Sequence, residues 1–334
     1  MRVLHLPYGI GMSTMAKALR TKGIDAQSWS LRTHHYAYMA DERIHFDQYK
    51  PEEEEEKREA YLQKALKEFD VFHFHFGESF FPDRRDLETI KKANKKMIVH
   101  HRGSEVRMLK KAQSFNNPYV RVKKSWPEDK VKSNLEFLSH YFDQAIVNDY
   151  ELYYYVEPYY KSIHVVPHTM DLSKYTPTYP KDHERPLVVH APSRRDTKGT
   201  QYVLPVLEKL KDEGVAFDYE LVEGKSHEEA LDIYKKATVI VDQLQLGAYG
   251  HLSMEAMALG KPVICYIRDD LVKKYPKDMP IVSADPKNFE TVLRSFLKNS
   301  DQYQAIGKAG RSYAEHYHSF DSVANKLITI YNKL

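Results

Sequence analysis

One cysteine in 334 residues leaves no intrachain disulfide to form, which excludes the small stapled scaffolds of the secreted world. That thiol, Cys265, lies in the apolar run from Pro262 to Ile267, where a buried structural role in a reducing compartment is expected. Long hydrophobic runs are missing too: nothing approaches the roughly 20 apolar residues that span a bilayer. The stretch from Met1 to Pro7 carries an Arg and a His and is shorter than a signal peptide's apolar region, so a chain that is not exported is expected. An excess of one charge is also missing. The 50 basic residues face 47 acidic ones, and a net of +3 gives no global field to draw the chain to nucleic acid.

What is present is ordinary globular material: 42% hydrophobic and 29% charged residues, far from the composition of disorder. The length exceeds one hydrophobic core, so two domains and a cleft follow. Short β-rich runs alternate with helical patterns, the signature of βαβ units and parallel sheets. Strands are expected at Val3 to Leu6, Val71 to His75, Met97 to His101, Ala145 to Asn148 and Ile163 to Val166, with helices at Met12 to Lys22 and Leu87 to Lys95. A Pro-rich, charged stretch from Asp171 to Arg185 reads as a linker. A second series follows at Leu187 to His190, Phe217 to Val222, Val239 to Asp242, Pro262 to Ile267 and Pro280 to Val282. The tail from Gln302 to Leu334 reads as helical, with a break near His318 to Asp321.

Three segments carry chemistry. Residues 242–264 (DQLQLGAYGHLSMEAMALGKPVI) run from a strand end through a Gly-containing loop into a helix. Gly247 and Gly250 let backbone approach a ligand, and free N–H groups at the helix start can hold a diphosphate. Glu255 falls one turn inside, where a carboxylate can accept bonds from a ribose hydroxyl pair. Residues 188–200 (VVHAPSRRDTKGT) gather Arg194, Arg195 and Lys198 after a strand, a set suited to a departing nucleoside diphosphate without a metal. Residues 97–107 (MIVHHRGSEVR) end a strand where parallel sheets present ligand-binding loops.

These segments resemble family 4 glycosyltransferases, which have the α/β GT-B fold of two Rossmann-like domains facing across a cleft. The family pattern has two glutamates separated by seven residues; Glu255 matches the second, and the first falls on Gly247. The resemblance implies Lys198, Arg194 and His101 as catalytic residues. It implies Gly9, Gly11, Ser193, Arg195, Gly247, Tyr249, Gly250, His251 and Glu255 on the donor, and His100, Arg102 and Glu105 toward the sugar or acceptor. Arg102 stands at the family's His position and Glu105 at its Asp position, leaving His100 or His101 to supply an imidazole. Gly9-Ile10-Gly11 after the first strand is similar to the family's Gly-rich loop. It is not a dinucleotide fingerprint, because no acidic residue follows at the spacing a nicotinamide site needs.

The resemblance implies an N-terminal acceptor-side domain over 1–170, a nucleotide-sugar domain over 171–315 and a last helix, 316–334, crossing back. The expected activity is sugar transfer from a nucleoside-diphosphate sugar to an unidentified acceptor, with retention, in glycan or glycoconjugate synthesis. The alternatives are a nucleotide-sugar epimerase and a non-catalytic nucleotide-sugar-binding protein. No cofactor or metal is expected: His73 and His75 share a strand face, but no third ligand stands at a diagnostic spacing. The expected location is the cytoplasm, including the inner membrane face, which the basic stretch 107–132 would touch; ordinary solvated surface is the alternative for that stretch. The acidic run Glu52 to Glu56 is expected at the start of a solvated helix, and the tyrosines from Tyr153 to Tyr160 as packing.

Overall fold

Apolar residues at strand spacing build the first sheet, and the computed structural model describes it within residues 1–33, 39–181 and 185–334. Its strands are β1 (Arg2–Leu6), β2 (Asp25–Ser30), β3 (Glu42–Arg43), β4 (Val71–His75), β5 (Lys96–His101), β6 (Gln144–Val147) and β7 (Ser162–Val165). They pair in parallel in the order β3-β2-β1-β4-β5-β6-β7. Every residue of β4 is buried, which is why it reads as a continuous run and not as an alternation. Neither β2 nor β3 was foreseen. In β2 the sequence Asp-Ala-Gln-Ser-Trp-Ser looks polar, but Ser28 and Ser30 are buried, and the Asp41 carboxylate accepts from the N–H and hydroxyl of Ser28 at 2.8 and 2.7 Å.

The chain divides into two units. The first comprises Met1–Met108, Lys124–Asp171 and Ser319–Leu334, and the second Leu109–Lys123 and Leu172–His318. In the first unit, helix Ile10–Arg20 contributes Met15, Ala16 and Leu19 to a core with Val3, Val71, Ile98 and Ile146. The last helix, Phe320–Lys333, seats Val323, Leu327, Ile330 and Tyr331 in the same cluster. Each such aliphatic side chain, once removed from water, stabilises the fold by about 1.5–3 kcal/mol. The break in the helical tail is Ser319, whose hydroxyl accepts from the Ser322 N–H at 3.3 Å between helices Tyr303–Tyr317 and Phe320–Lys333.

The second unit holds β8 (Leu187–His190), β9 (Asp218–Leu221), β10 (Val239–Val241), β11 (Val263–Cys265) and β12 (Val282–Ser283), parallel in the order β12-β11-β10-β8-β9. Cys265 is buried in β11. The Pro-rich stretch before β8 has one regular turn, Leu172–Lys174, and its residues 182–184 lie outside the described residues. The acidic run occupies the first turns of helix Pro51–Glu68, with Pro51 at its start. The basic stretch 107–132 is shared between the two units, and Arg107 is tied to the buried Glu151 at 2.8 Å. Among the described residues, no helix is long and apolar enough to cross a membrane.

Candidate functional site

Both sheets reverse strand order once: β1 stands between β2 and β4, and β8 between β9 and β10. Open parallel sheets bind ligands beyond the carboxyl ends of their strands at such points. In the second unit, β8 leads into the short helix Arg195–Lys198. Gly199, at φ +83°, then turns the chain into helix Thr200–Asp212. The chain leaving β10 reaches Asp242 and, eight residues later, Gly250, which opens helix His251–Ala258.

These two segments meet at a buried ion pair. Lys198 Nζ lies 2.6 Å from Asp242 Oδ1, and Asp242 Oδ2 accepts from Ser253 Oγ at 2.7 Å and from the Gly250 N–H at 3.2 Å. Burial alone would raise the Asp242 pKa, but the ammonium of Lys198 and these donors hold it below its ordinary value. His190, at the end of β8, makes a separate pair of bonds. Its Nδ1–H donates to the Val241 carbonyl at 2.9 Å, so Nε2 accepts from Thr200 Oγ1 at 2.9 Å, and burial keeps the ring neutral. At Gly250 a Cβ would stand 3.6 Å from both Asp242 Oδ2 and Lys198 Nζ, so its absence leaves open backbone beside the pair.

Glu255 lies on the following turn with its side chain 17% exposed. Its Oε1 accepts from Tyr175 Oη at 3.0 Å and from His227 Nε2 at 2.6 Å, and this bond to the carboxylate raises the His227 pKa. Both bonds fall on one oxygen. Gly247, where the family's first glutamate would stand, has φ +87°, and a Cβ there would meet the side chain of Arg268 at 3.0–3.1 Å. Arg268 is itself fixed by Asp270 at 2.7 Å and by the ring of Phe115 at 4.3 Å.

The other residues expected on the donor are placed less centrally. Ser193 is exposed, Arg194 pairs with Asp196 at 2.8 Å, and Arg195 pairs with Glu223 at 2.5 Å on the open surface. His251 is exposed at the helix start. Tyr249 belongs to an aromatic group, its hydroxyl 3.1 Å from His318 Nε2 and 3.3 Å from Tyr313 Oη. Sequence reasoning missed Asp242, Ser253, His190 and Thr200 as partners of the Lys198 segment. The available signal was a carboxylate at the end of the apolar strand Val239–Val241, a charge that cannot be buried there without a cation.

In the first unit, Gly9 caps helix Ile10–Arg20 at φ +111°, and a Cβ on Gly11 would collide with the Arg102 guanidinium. Arg102 donates to Asn148 Oδ1 at 2.9 Å and reaches His168 Nδ1 at 3.3 Å, and burial lowers its pKa to about 10. Consecutive positions on β5 send His100 and His101 to opposite faces. His100 joins the Arg102 side: Tyr331 Oη donates to His73 Nδ1 (2.6 Å), His73 Nε2 to His100 Nδ1 (3.1 Å), and His100 Nε2 to Asn148 Oδ1 (2.9 Å). His101 turns away to Tyr160 Oη at 2.8 Å, and burial lowers its pKa to about 3. Glu105 accepts from the Arg102 N–H, and burial raises its pKa.

A third imidazole that sequence spacing did not place beside His73 and His75 is His5, their neighbour on β1. One ring nitrogen of each lies within 4.8 Å of the others. Burial keeps all three rings neutral, the form that binds transition metals, while His5 Nδ1 and His75 Nε2 already stand 3.2 Å apart as a hydrogen-bonded pair.

No family model matches the chain. It is 26% identical over 132 residues, 38% of its length, to the D-inositol 3-phosphate glycosyltransferase of Corynebacterium urealyticum, of which the match takes in 31%. Among solved structures it is similar to the sucrose-phosphate synthase of Thermosynechococcus elongatus (13% identity, TM-score 0.62, covering 99% of this chain and 98% of that one). It is also similar to Anabaena HepE in complex with UDP (10%, 0.63, covering 100% of both chains). A Rickettsia africae glycosyltransferase matches comparably (14%, 0.63, covering 99% and 97%). At such identities these likenesses show the fold, and the fold is the α/β GT-B class expected from the sequence.

Proposed function

We propose that this chain is a glycosyltransferase that takes a sugar from a nucleoside diphosphate, with retention, as family 4 enzymes do. The observation that carries the reading is the Lys198–Asp242 pair at the strand-order reversal, beside the open backbone of Gly250 and the start of a helix. The likeness to the inositol phosphate glycosyltransferase supports sugar transfer, and the HepE structures with UDP and with UDP-glucose support a nucleotide-sugar donor. The diphosphate lies over Gly250 and the helix N–H groups, and the three-donor ammonium of Lys198 turns from Asp242 to share itself with the phosphate. Glu255 Oε2 takes a ribose hydroxyl. The bond from the anomeric carbon to the β-phosphate oxygen breaks with its electron pair on that oxygen. The acceptor hydroxyl forms the new bond on the same face and passes its proton to the departing phosphate.

Lys198, the helix start and Arg194, once released from Asp196, meet the developing charge, so no divalent ion is needed. The acceptor lies with the first unit, where Arg102 stands against Gly11 and is joined to His100 and Glu105. The proposed location is the cytoplasm, with the basic stretch 107–132 touching an anionic membrane surface. The test is calorimetry with UDP, GDP and ADP, followed by incubation with the matching nucleotide-sugars in EDTA. Nucleotide binding with metal-free release of sugar supports the reading, and turnover that needs magnesium or manganese sinks the cationic account. A donor epimerised without acceptor would point to an epimerase. Gly247 favours a second reading, a nucleotide-sugar-binding protein without turnover, because the first carboxylate is missing there and the positive φ and the Arg268 side chain crowd a Cβ at that position; binding without any transfer or hydrolysis would decide for it.

A further inference from the structure

A cavity of about 680 Å³ opens in the first unit beyond the ends of β1, β2 and β4, within the usual range for small-molecule sites. Its wall includes Pro7 after β1, Leu31 after β2 and Phe76 to Ser79 after β4, so it too sits where the strand order reverses. The opposite wall is one face of helix Glu128–Ser139. Lys130, Ser133, Asn134 and Phe137, spaced by three and four residues, line it with Trp126 just before the helix.

The charges in this wall are unevenly satisfied. Glu78 pairs with Arg32 at 3.2 Å, Arg58 with Glu54 at 2.6 Å, and the Asp47 carboxylate accepts from the Thr33 N–H at 3.0 Å. Arg84 and Lys130 make no ion pair among the described residues. Arg84 is half-buried, held by the Asn134 side-chain oxygen, by the Gly77 carbonyl at 3.4 Å and over the Phe137 ring at 4.3 Å. Lys130 lies 5.0 Å from the centre of the Trp126 ring. A positioned guanidinium that spends its own bonds on neutral acceptors, with Glu78 and Asp86 acting on it only through space, stands beside an ammonium and can take an anion. Because Asn134 spends its oxygen on Arg84, its amide N–H groups and the Ser133 hydroxyl remain as further donors. Two cations with two neutral donors suit the near-double negative charge of a phosphate monoester better than the single charge of a carboxylate, while Phe76, Trp126 and Phe137 give apolar faces beside it.

We infer that this cavity binds the acceptor by a phosphate group, held by Arg84, Lys130, Ser133 and Asn134. The inference rests on the glycosyltransferase reading for the word acceptor but not for the anion. Of the two tryptophans, Trp29 is buried in the core and Trp126 lines the cavity, so fluorescence reports on the site. Phenyl phosphate titrated at constant ionic strength is expected to change the Trp126 signal saturably and to bind at least tenfold tighter than benzoate. Lys130→Ala, on an exposed helix position that tolerates the change, and Arg84→Gln should each weaken it by roughly tenfold or more. UDP affinity, measured on the same samples, should not change.

Glycerol 3-phosphate and phosphatidic acid vesicles separate a soluble phosphate from a lipid headgroup, and Lys130-dependent binding of either supports the site. The inference is overturned by equal affinity for benzoate, by binding that ignores both substitutions, or by no saturable binding at all. Phenyl phosphate binding in a protein that holds no nucleotide would leave the anion site standing and sink the glycosyltransferase reading.

Discussion

Lys198 Nζ stands 2.6 Å from Asp242 Oδ1, joining the segment after β8 to the segment after β10 through one charge pair. Asp242 is fully buried and also fixes Ser253 and Gly250, so it sets the start of helix His251–Ala258 as well as the place of the ammonium. Lys198→Ala is expected to cost about 1.5–3 kcal/mol in nucleoside-diphosphate binding, roughly 10- to 150-fold, by calorimetry. Asp242→Asn should lower stability by a similar amount and loosen the Gly250 turn, read as a lower midpoint in urea and weaker nucleotide binding together. A variant with intact nucleotide affinity would take Lys198 out of the site.

The Glu255–His227 bond predicts an alkaline loss of stability. His227 has a raised folded pKa, so its contribution is fully present below the unfolded value of 6.5 and is lost as pH rises through the higher folded value. The difference in Tm between the wild type and His227→Gln should therefore be largest near pH 6 and shrink by pH 8.5. Asp242 acts in the opposite sense: its folded pKa is lowered, so its contribution is present above the unfolded 3.8 and is lost as pH falls through the folded value. A His227 difference that grew with pH would show that the bond to Glu255 does not govern the titration.

Much of this was legible in the residues, for identifiable reasons. Buried parallel strands such as Val71–His75 and Leu187–His190 are apolar or His-rich throughout, and the Ser319 break interrupts an otherwise continuous helical pattern. Strand β2 was not legible, because its buried Ser28 is satisfied by Asp41, a partner 13 positions away, and its buried Ser30 by the Arg32 carbonyl. Lys198 was legible as a cation after a strand, but its carboxylate lies 44 residues on, and only the sheet order brings β8 beside β10. The His100 and His101 alternative needed the strand's facing, which two adjacent identical residues cannot reveal. His5 escaped notice as a third imidazole because strand pairing, not spacing, sets it against His73.

Gly11 leaves the Arg102 guanidinium its place, since a Cβ there would strike it and one of the two would have to shift. Gly11→Ala should displace Arg102 from Asn148 and His168. If Arg102 holds the acceptor side, transfer rate should fall while nucleotide affinity, set in the second unit, stays within about twofold. Nucleotide affinity that fell with it would show that Gly11 acts on the donor instead.

Glu255 presents Oε1 to both Tyr175 and His227, and the proposed ribose contact falls to Oε2. Glu255→Ala should weaken an ordinary nucleotide more than its 2′,3′-dideoxy counterpart, with a coupling on the order of 1 kcal/mol or more in a double-mutant cycle. Equal losses for the two nucleotides would mean that the carboxylate orders Tyr175 and His227 and not the ribose.

Gly247 decides between the two readings of the site. At φ +87° a residue with a Cβ is strained by about 1–2 kcal/mol, and here the Cβ also presses on Arg268. Arg268 cannot yield cheaply, because its guanidinium is fixed by Asp270 and lies over Phe115. Gly247→Ala should therefore lower the Tm, and Gly247→Glu, which returns the family's first carboxylate on paper, should lower it at least as much without raising transfer. A Gly247→Glu protein that kept its Tm and gained turnover would show that the loop can accept the carboxylate, and that its absence, not the backbone, limits the enzyme. A wild type that transfers sugar with Gly247 in place would show that the ammonium of Lys198 and the helix start suffice, and would remove the ground for a binding protein without turnover.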